Sequence, residues 1–239
     1  MWGRLPSVVE RIFYGSGTQQ FGELRVPDGA AGRPLVVLVH GGFWRDRYHL
    51  DLMDPLADAL ADRGFASWNI EYRRVGPTGG GWDTTPADVA AAIDHVSAKW
   101  PTFAVAGHSA GGHLALWNAS RADAPRPPAL TVGLAPVADV TAANREGTGV
   151  DATPNFVGGS ADEFPDRYAH VQPDPDRFAG RIVLIHGDAD ENVPVHQSTR
   201  LEGRVDAVHV LAGVDHFQVI DPSHESWTLV FDELAALGV

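Results

Sequence analysis

Five consecutive residues, Gly107-His108-Ser109-Ala110-Gly111, offer the clearest chemistry in this chain. They follow the apolar run Thr102–Gly107, which reads as a strand, and open AGGHLALWNAS, which reads as a helix. A serine at such a junction takes a strained backbone conformation that lifts its hydroxyl above the sheet edge. Side chains two residues before and after it would collide, which accounts for Gly107 and Gly111. Gly112 lets the helix lie close to the sheet. The helix N-terminus adds amide donors and the positive end of a dipole beside the hydroxyl.

A serine hydroxyl is a poor nucleophile at neutral pH and needs a base. Among 11 histidines, His216 has the best setting: it lies in GVDHFQV, just after the last predicted strand. His40 and His186 end strands and read as buried structural groups. His108 is the variable position of the turn, and His113, one helical turn past Ser109, reads as packed. A third group must hold the imidazole in one tautomer and stabilise the imidazolium. The segment RIVLIHGDADENVPV supplies Asp188, Asp190 and Glu191 after a strand. Asp190 is preferred, because the Asn-Val-Pro turn behind it directs its carboxylate inward. Asp188 is second, and Asp215 is too near His216 along the chain.

Attack on a carbonyl creates an oxyanion that needs preorganised main-chain donors. Ala110, directly after the serine, supplies one. Gly42 and Phe43, in the run His40-Gly41-Gly42-Phe43-Trp44, supply the others. Trp44, Trp82 and Phe217 are the expected substrate contacts, with Phe156 and Phe164 adding apolar surface. No HExxH or other metal-ligand spacing appears, and GPTGGG lacks the lysine of a phosphate loop. No cofactor is expected, because acyl transfer to water needs none.

The elements that must position these residues alternate. Leu35–His40, Phe65–Tyr72, Thr102–Gly107, Ala129–Ala135, Arg181–His186 and Ala207–Leu211 read as strands. Leu50–Arg63, Thr85–Trp100 (with a Thr cap and a first-turn proline), Ala110–Ala122, Pro194–Gly203 and Ser223–Leu237 read as helices. Such alternation implies a mostly parallel sheet with helices on both faces. Val8–Tyr14 and Gln20–Val26 have no helix between them and read as an antiparallel pair at one edge. The Gly-, Pro- and Asp-rich stretch 144–176 breaks the rhythm. It is expected to be a small cap insertion with one helical piece near Asp162–His170, within a single domain spanning 1–239.

Length and charge narrow the field further. A chain of 239 residues with 44% hydrophobic content can bury an ample core. A net charge of −13 repels phosphate backbones and anionic lipid, so nucleic-acid and membrane partners are not expected. The absence of cysteine excludes disulfides, thiolate metal sites and cysteine nucleophiles. The N-terminus lacks the basic start and apolar run of a secretory signal. The expectation is a cytoplasmic monomer or homodimer acting on a small-molecule ester or amide.

HGGFW, GHSAGG, HGDADENVP and DHF, in that order, resemble the α/β-hydrolase superfamily over about residues 33–237. The order Ser109…Asp190…His216 is the one that arrangement uses. HGGFW is similar to the arylformamidase pattern, NIEYR at 69–73 to lipase-like members, and HGDADENVP to the acid loop of prolyl-oligopeptidase-type catalytic domains. The resemblance implies a serine hydrolase with Ser109, Asp190 and His216 as its triad, cleaving small carboxylic esters or activated amides. N-formyl-kynurenine hydrolysis is the first alternative, and a small peptidase or a non-catalytic binding protein on the same fold are others. No propeller domain or long N-terminal lipase cap accompanies the match, which disfavours oligopeptide size selection and long-chain lipids.

Overall fold

The computed structural model describes residues 9–237. Eight strands form one sheet: β1 (Val9–Phe13), β2 (Phe21–Arg25), β3 (Leu35–Val39), β4 (Ser67–Ile70), β5 (Phe103–His108), β6 (Leu130–Leu134), β7 (Arg181–Gly187) and β8 (Ala207–Leu211). Their spatial order is β1-β2-β4-β3-β5-β6-β7-β8. The β1–β2 and β2–β4 pairs are antiparallel, and every pairing from β4 to β8 is parallel. The expected edge hairpin is present, except that Val8 lies outside the described residues.

Side-chain alternation along the central strands explains the layering. In β3, Val37 and Val39 face one core with Val105 of β5. Helices α2 (Thr84–Ser97) and α3 (Ala110–Ala119) close that core with Val89, Ile93, Leu114 and Ala115. Val36 and Leu38 face the other core with Ala104, Ala106, Val132 and Ile185. There α1 (Asp54–Asp62) and α8 (Glu225–Ala236) contribute Leu56, Leu60, Trp227 and Val230. All five residues of β3 are buried, as a strand covered on both faces requires.

Three elements depart from the sequence reading. The helix expected over Leu50–Arg63 is a 3₁₀ turn, Leu50–Met53, followed by α1, with Pro55 in its first turn where a missing N–H costs nothing. The helix expected over Pro194–Gly203 shrinks to α7 (His196–Thr199), continued by turns. Helix α2 begins at Thr84, so Thr85 is not its cap. The Thr85 hydroxyl donates instead to the Arg73 carbonyl, at 2.7 Å.

The segment between β6 and β7 is more ordered than expected. It holds three short helices, α4 (Val140–Glu146), α5 (Ala152–Val157) and α6 (Pro165–Val171). The signals for α4 stand in the sequence. Asp139 caps its start by accepting from the Ala142 N–H at 2.8 Å, and Gly147 ends it in the left-handed region. Among the described residues, no helix is long and apolar enough to cross a membrane.

The parallel register places the carboxyl ends of β3, β5, β6, β7 and β8 along one edge. Val39 pairs with Gly107, His108 with Leu134, Leu134 with Ile185, and Gly187 with Leu211. Glycines permit the close packing there. A Cβ at Gly107 would meet the Gly111 carbonyl, and one at Gly111 would meet the carbonyl oxygens of Val39 and His40. Gly111→Ala is therefore expected to cost about 3 kcal/mol of unfolding free energy, read as a lower urea midpoint at unchanged m-value.

Candidate functional site

Ser109 sits between β5 and α3 with φ 56° and ψ −119°. This positive-φ conformation is costly for a residue with a Cβ and is held only where surrounding bonds over-determine it. Its N–H donates to the Leu134 carbonyl at 2.9 Å, and its carbonyl accepts from the His113 and Val137 N–H groups at 3.0 and 3.2 Å. The residue is 1% exposed. Gly41 packs directly on it, since a Cβ there would lie 2.9 Å from the Ser109 Cβ.

Asp190 and His216 are brought together from the loops after β7 and β8. His216 Nδ1–H donates to Asp190 Oδ2 at 2.6 Å. Oδ1 accepts from the N–H groups of Asn192 and Val193, each at 2.8 Å, so the predicted turn does direct the carboxylate inward. Burial alone would raise the Asp190 carboxyl. Hydrogen bonds from His186, His216 and the Val193 amide outweigh it and hold the group well below the usual carboxylate range. Asp188 has a different task. Its Oδ1 accepts from Gly213 N–H at 2.6 Å, and its own N–H donates to the Leu211 carbonyl at 3.0 Å. It ties the acid loop to the histidine loop. Asp215 is spent within its own turn, on the amides of Phe217 and Gln218.

His108, read from the sequence as a variable position, is what links the serine turn to His216. Its Nε2–H donates to the His216 carbonyl at 2.9 Å, and the two rings lie 4.6 Å apart. A carbonyl can only accept, so the proton sits on Nε2, and Nδ1 is buried without a partner. Burial first, and then the charge of His216, pushes the His108 imidazole down to about 3. Among the described residues no hydrogen bond joins Ser109 to the His216 side chain. Such contacts commonly tighten only once a ligand is bound.

The other predicted donors border the same turn. Among the described residues, no acceptor takes the main-chain N–H of Gly42, Phe43 or Ala110. The loop is strained, with φ 115° at Gly42, 53° at Phe43 and 56° at Trp44. The β6–β7 insertion braces it. The Phe43 ring fits against Gly149, where a Cβ would strike it, and Arg45 donates to the Gly149 carbonyl at 3.0 Å.

The expected pocket residues divide. Trp44 is 1% exposed and belongs to the core. Its ring stacks on Phe156 at 4.5 Å, and its indole N–H donates to His113 Nδ1 at 3.2 Å. Almost no surface is left for a ligand, and the same stack occupies Phe156. Trp82 is half-buried against His170 and Arg167 of α6, and Phe164 also packs on Arg167. Phe217 alone is open, 53% exposed and edge-on to the His216 ring at 5.3 Å. A cavity of about 980 Å³ lined by Asp139, Gln172, His196 and Arg200 includes none of the three predicted catalytic side chains.

With this geometry in view, known proteins supply a context. A family model described as BD-FAE matches residues 24–205. The chain belongs to the BD-FAE family. Among solved structures, a "truncated form of carbohydrate esterase from gut microbiota" is similar at TM-score 0.80 and 20% identity, over 96% of this chain and 97% of that one. Esterase B from Lactobacillus rhamnosis is similar at 0.78 and 20% identity, over 96% and 85%. A Bacteroides eggerthii protein described as bifunctional GH43-CE is similar at 0.79 and 21% identity, over 95% of this chain. The chain spans 38% of that protein's length. No curated protein matches. These likenesses show that this BD-FAE member has the α/β-hydrolase fold.

Two buried imidazoles make acid sensitivity testable. His108 is held near 3 and His113 near 4, both chiefly by burial and both below the ordinary value of about 6.5. A lowered folded-state value means stability is complete above about pH 6.5 and is lost as pH falls toward 4. Urea unfolding free energy is expected to drop through this window by up to about 1 kcal/mol per pH unit for each imidazole. His113→Gln should make the decline shallower, measured by urea midpoints at pH 7, 5.5 and 4.

Proposed function

We propose that this chain is a serine esterase acting on small carboxylic esters through an acyl-enzyme. The observation that carries the reading is the 2.6 Å bond from His216 Nδ1 to the buried Asp190 carboxylate, beside a serine held at positive φ. The bond leaves Nε2 of His216 as the free basic nitrogen. Ser109 Oγ attacks the ester carbonyl and His216 takes its proton. The proton then passes to the departing alkoxide, and Asp190 stabilises the imidazolium meanwhile. The oxyanion is held by the N–H groups of Gly42, Phe43 and Ala110, which no acceptor among the described residues takes. Water, deprotonated by the same imidazole, then releases the acid and frees Ser109.

Phe217, open beside His216, is the apolar surface offered to the substrate. Trp44 acts one layer behind, supporting the oxyanion loop. The names of the structural neighbours favour ester substrates, including acyl groups carried on sugars. Esterase B is also known with a tributyrin phosphonate, which favours short acyl chains. By this reading the chain is a hydrolase whose own side chains and main-chain amides carry the reaction.

A fluorophosphonate probe should label the wild-type protein and leave Ser109→Ala unlabelled. Hydrolysis of p-nitrophenyl acetate should fall at least about 10³-fold in that variant. Faster turnover of N-formyl-kynurenine than of p-nitrophenyl acetate or acetylated xylo-oligosaccharides would favour the arylformamidase alternative. An unlabelled wild-type protein would favour a binding role.

A further inference from the structure

We propose that His186 is a positioning residue that clamps the Asp190 carboxylate against His216. The proposal rests on the esterase reading for its consequence, and on hydrogen-bond geometry for its existence. His186 is fully buried near the end of β7, four residues before Asp190. Its Nε2 lies 2.9 Å from the Val193 carbonyl oxygen and 3.2 Å from Asp190 Oδ2. The carbonyl can only accept, so Nε2 carries a proton; that N–H is bonded to Val193 and lies within reach of Asp190 Oδ2. Its Nδ1 lies 2.8 Å from Ser198 Oγ, on α7. With the Nε2 position so used, Nδ1 is left to accept a hydrogen bond from the Ser198 hydroxyl. A directed chain results: Ser198 donates to His186, His186 donates to Asp190, and His216 donates to Asp190 from the other side.

This chain completes the coordination of Asp190. Oδ1 takes two main-chain amides and Oδ2 takes two imidazoles. Among the described residues, no arginine or lysine pairs with this carboxylate, so the imidazoles are its only side-chain donors. The titratable groups around it are few. His108 faces it from the serine turn and His186 from β7. Asp188 and Glu191 stand on the acid loop, and Asp215 stands beside His216. Asp188 and Asp215 are already spent on backbone amides. Removing the His186 donor would both loosen the carboxylate and concentrate its charge on the remaining imidazole, the Nδ1–H of His216.

The test is the acid limb of kcat/KM for p-nitrophenyl acetate. His186→Leu should move its midpoint upward by about half a pH unit or more, with kcat falling more than KM rises. His186→Gln keeps an N–H near the Nε2 position and should restore the wild-type midpoint. An unmoved midpoint in a folded His186→Leu, or an equal shift in both variants, overturns the proposal. Nitrogen NMR of the wild-type protein gives an independent reading if the leucine variant does not fold. The His186 Nε2–H signal should move in Asp190→Asn, and in Ser198→Ala the Nδ1 signal should lose the shift that the hydroxyl bond produces. An Nε2–H signal that does not move in Asp190→Asn overturns the clamp. A wild-type protein without esterase turnover would sink the esterase reading, while the NMR result would still decide the bond from His186.

Discussion

The whole edge of this sheet depends on main chain lying against main chain around one strained serine. Ser109 at φ 56° is held by three hydrogen bonds to its own peptide groups, from the end of β6 and from the start of α3. Such a conformation stores on the order of 1–3 kcal/mol. It persists because the residues around it have no Cβ to interfere. Gly107 and Gly111 let α3 fold back onto β3 and β5, Gly112 admits Pro136, and Gly41 lies on the serine itself. Gly187 repeats the device one loop away, where a Cβ would strike the Val214 carbonyl. Without these contacts the acid and histidine loops would not lie side by side.

One carboxylate, Asp190, is kept ionised by donors on both oxygens, and the rings of His108 and His113 remain neutral. A charge on either ring so deep would incur a desolvation cost. His108 and His113 work as rigid donor–acceptor struts instead. The first connects the serine turn to the backbone of His216, and the second connects Trp44 to the Val171 carbonyl at the end of α6. These struts couple the Gly42–Trp44 loop, the serine turn and the β6–β7 insertion into one packed unit. The stacking of Trp44 on Phe156 belongs to the same unit, which is why a tryptophan directly after Gly42 and Phe43 turns its surface inward.

Local pattern determined a good deal. Alternating apolar runs and helical stretches sufficed for the parallel sheet, because a strand buried on both faces must be apolar throughout. The glycine spacing around Ser109 was readable because steric exclusion acts over two residues, and Asp190 was readable from the turn that follows it. What tertiary structure alone decided concerns residues that are remote in sequence. His108 meets His216 across 108 positions, since the loop after β8 crosses the ends of β7 and β6 to reach β5. His186 meets Ser198, 12 positions on, only because α7 packs back against the end of β7. Trp44 finds Phe156 and Phe43 finds Gly149 only once the insertion has folded down. Spacing rules express local sterics, whereas burial and hydrogen-bond partners depend on which strands neighbour one another, and no short stretch of sequence encodes that order.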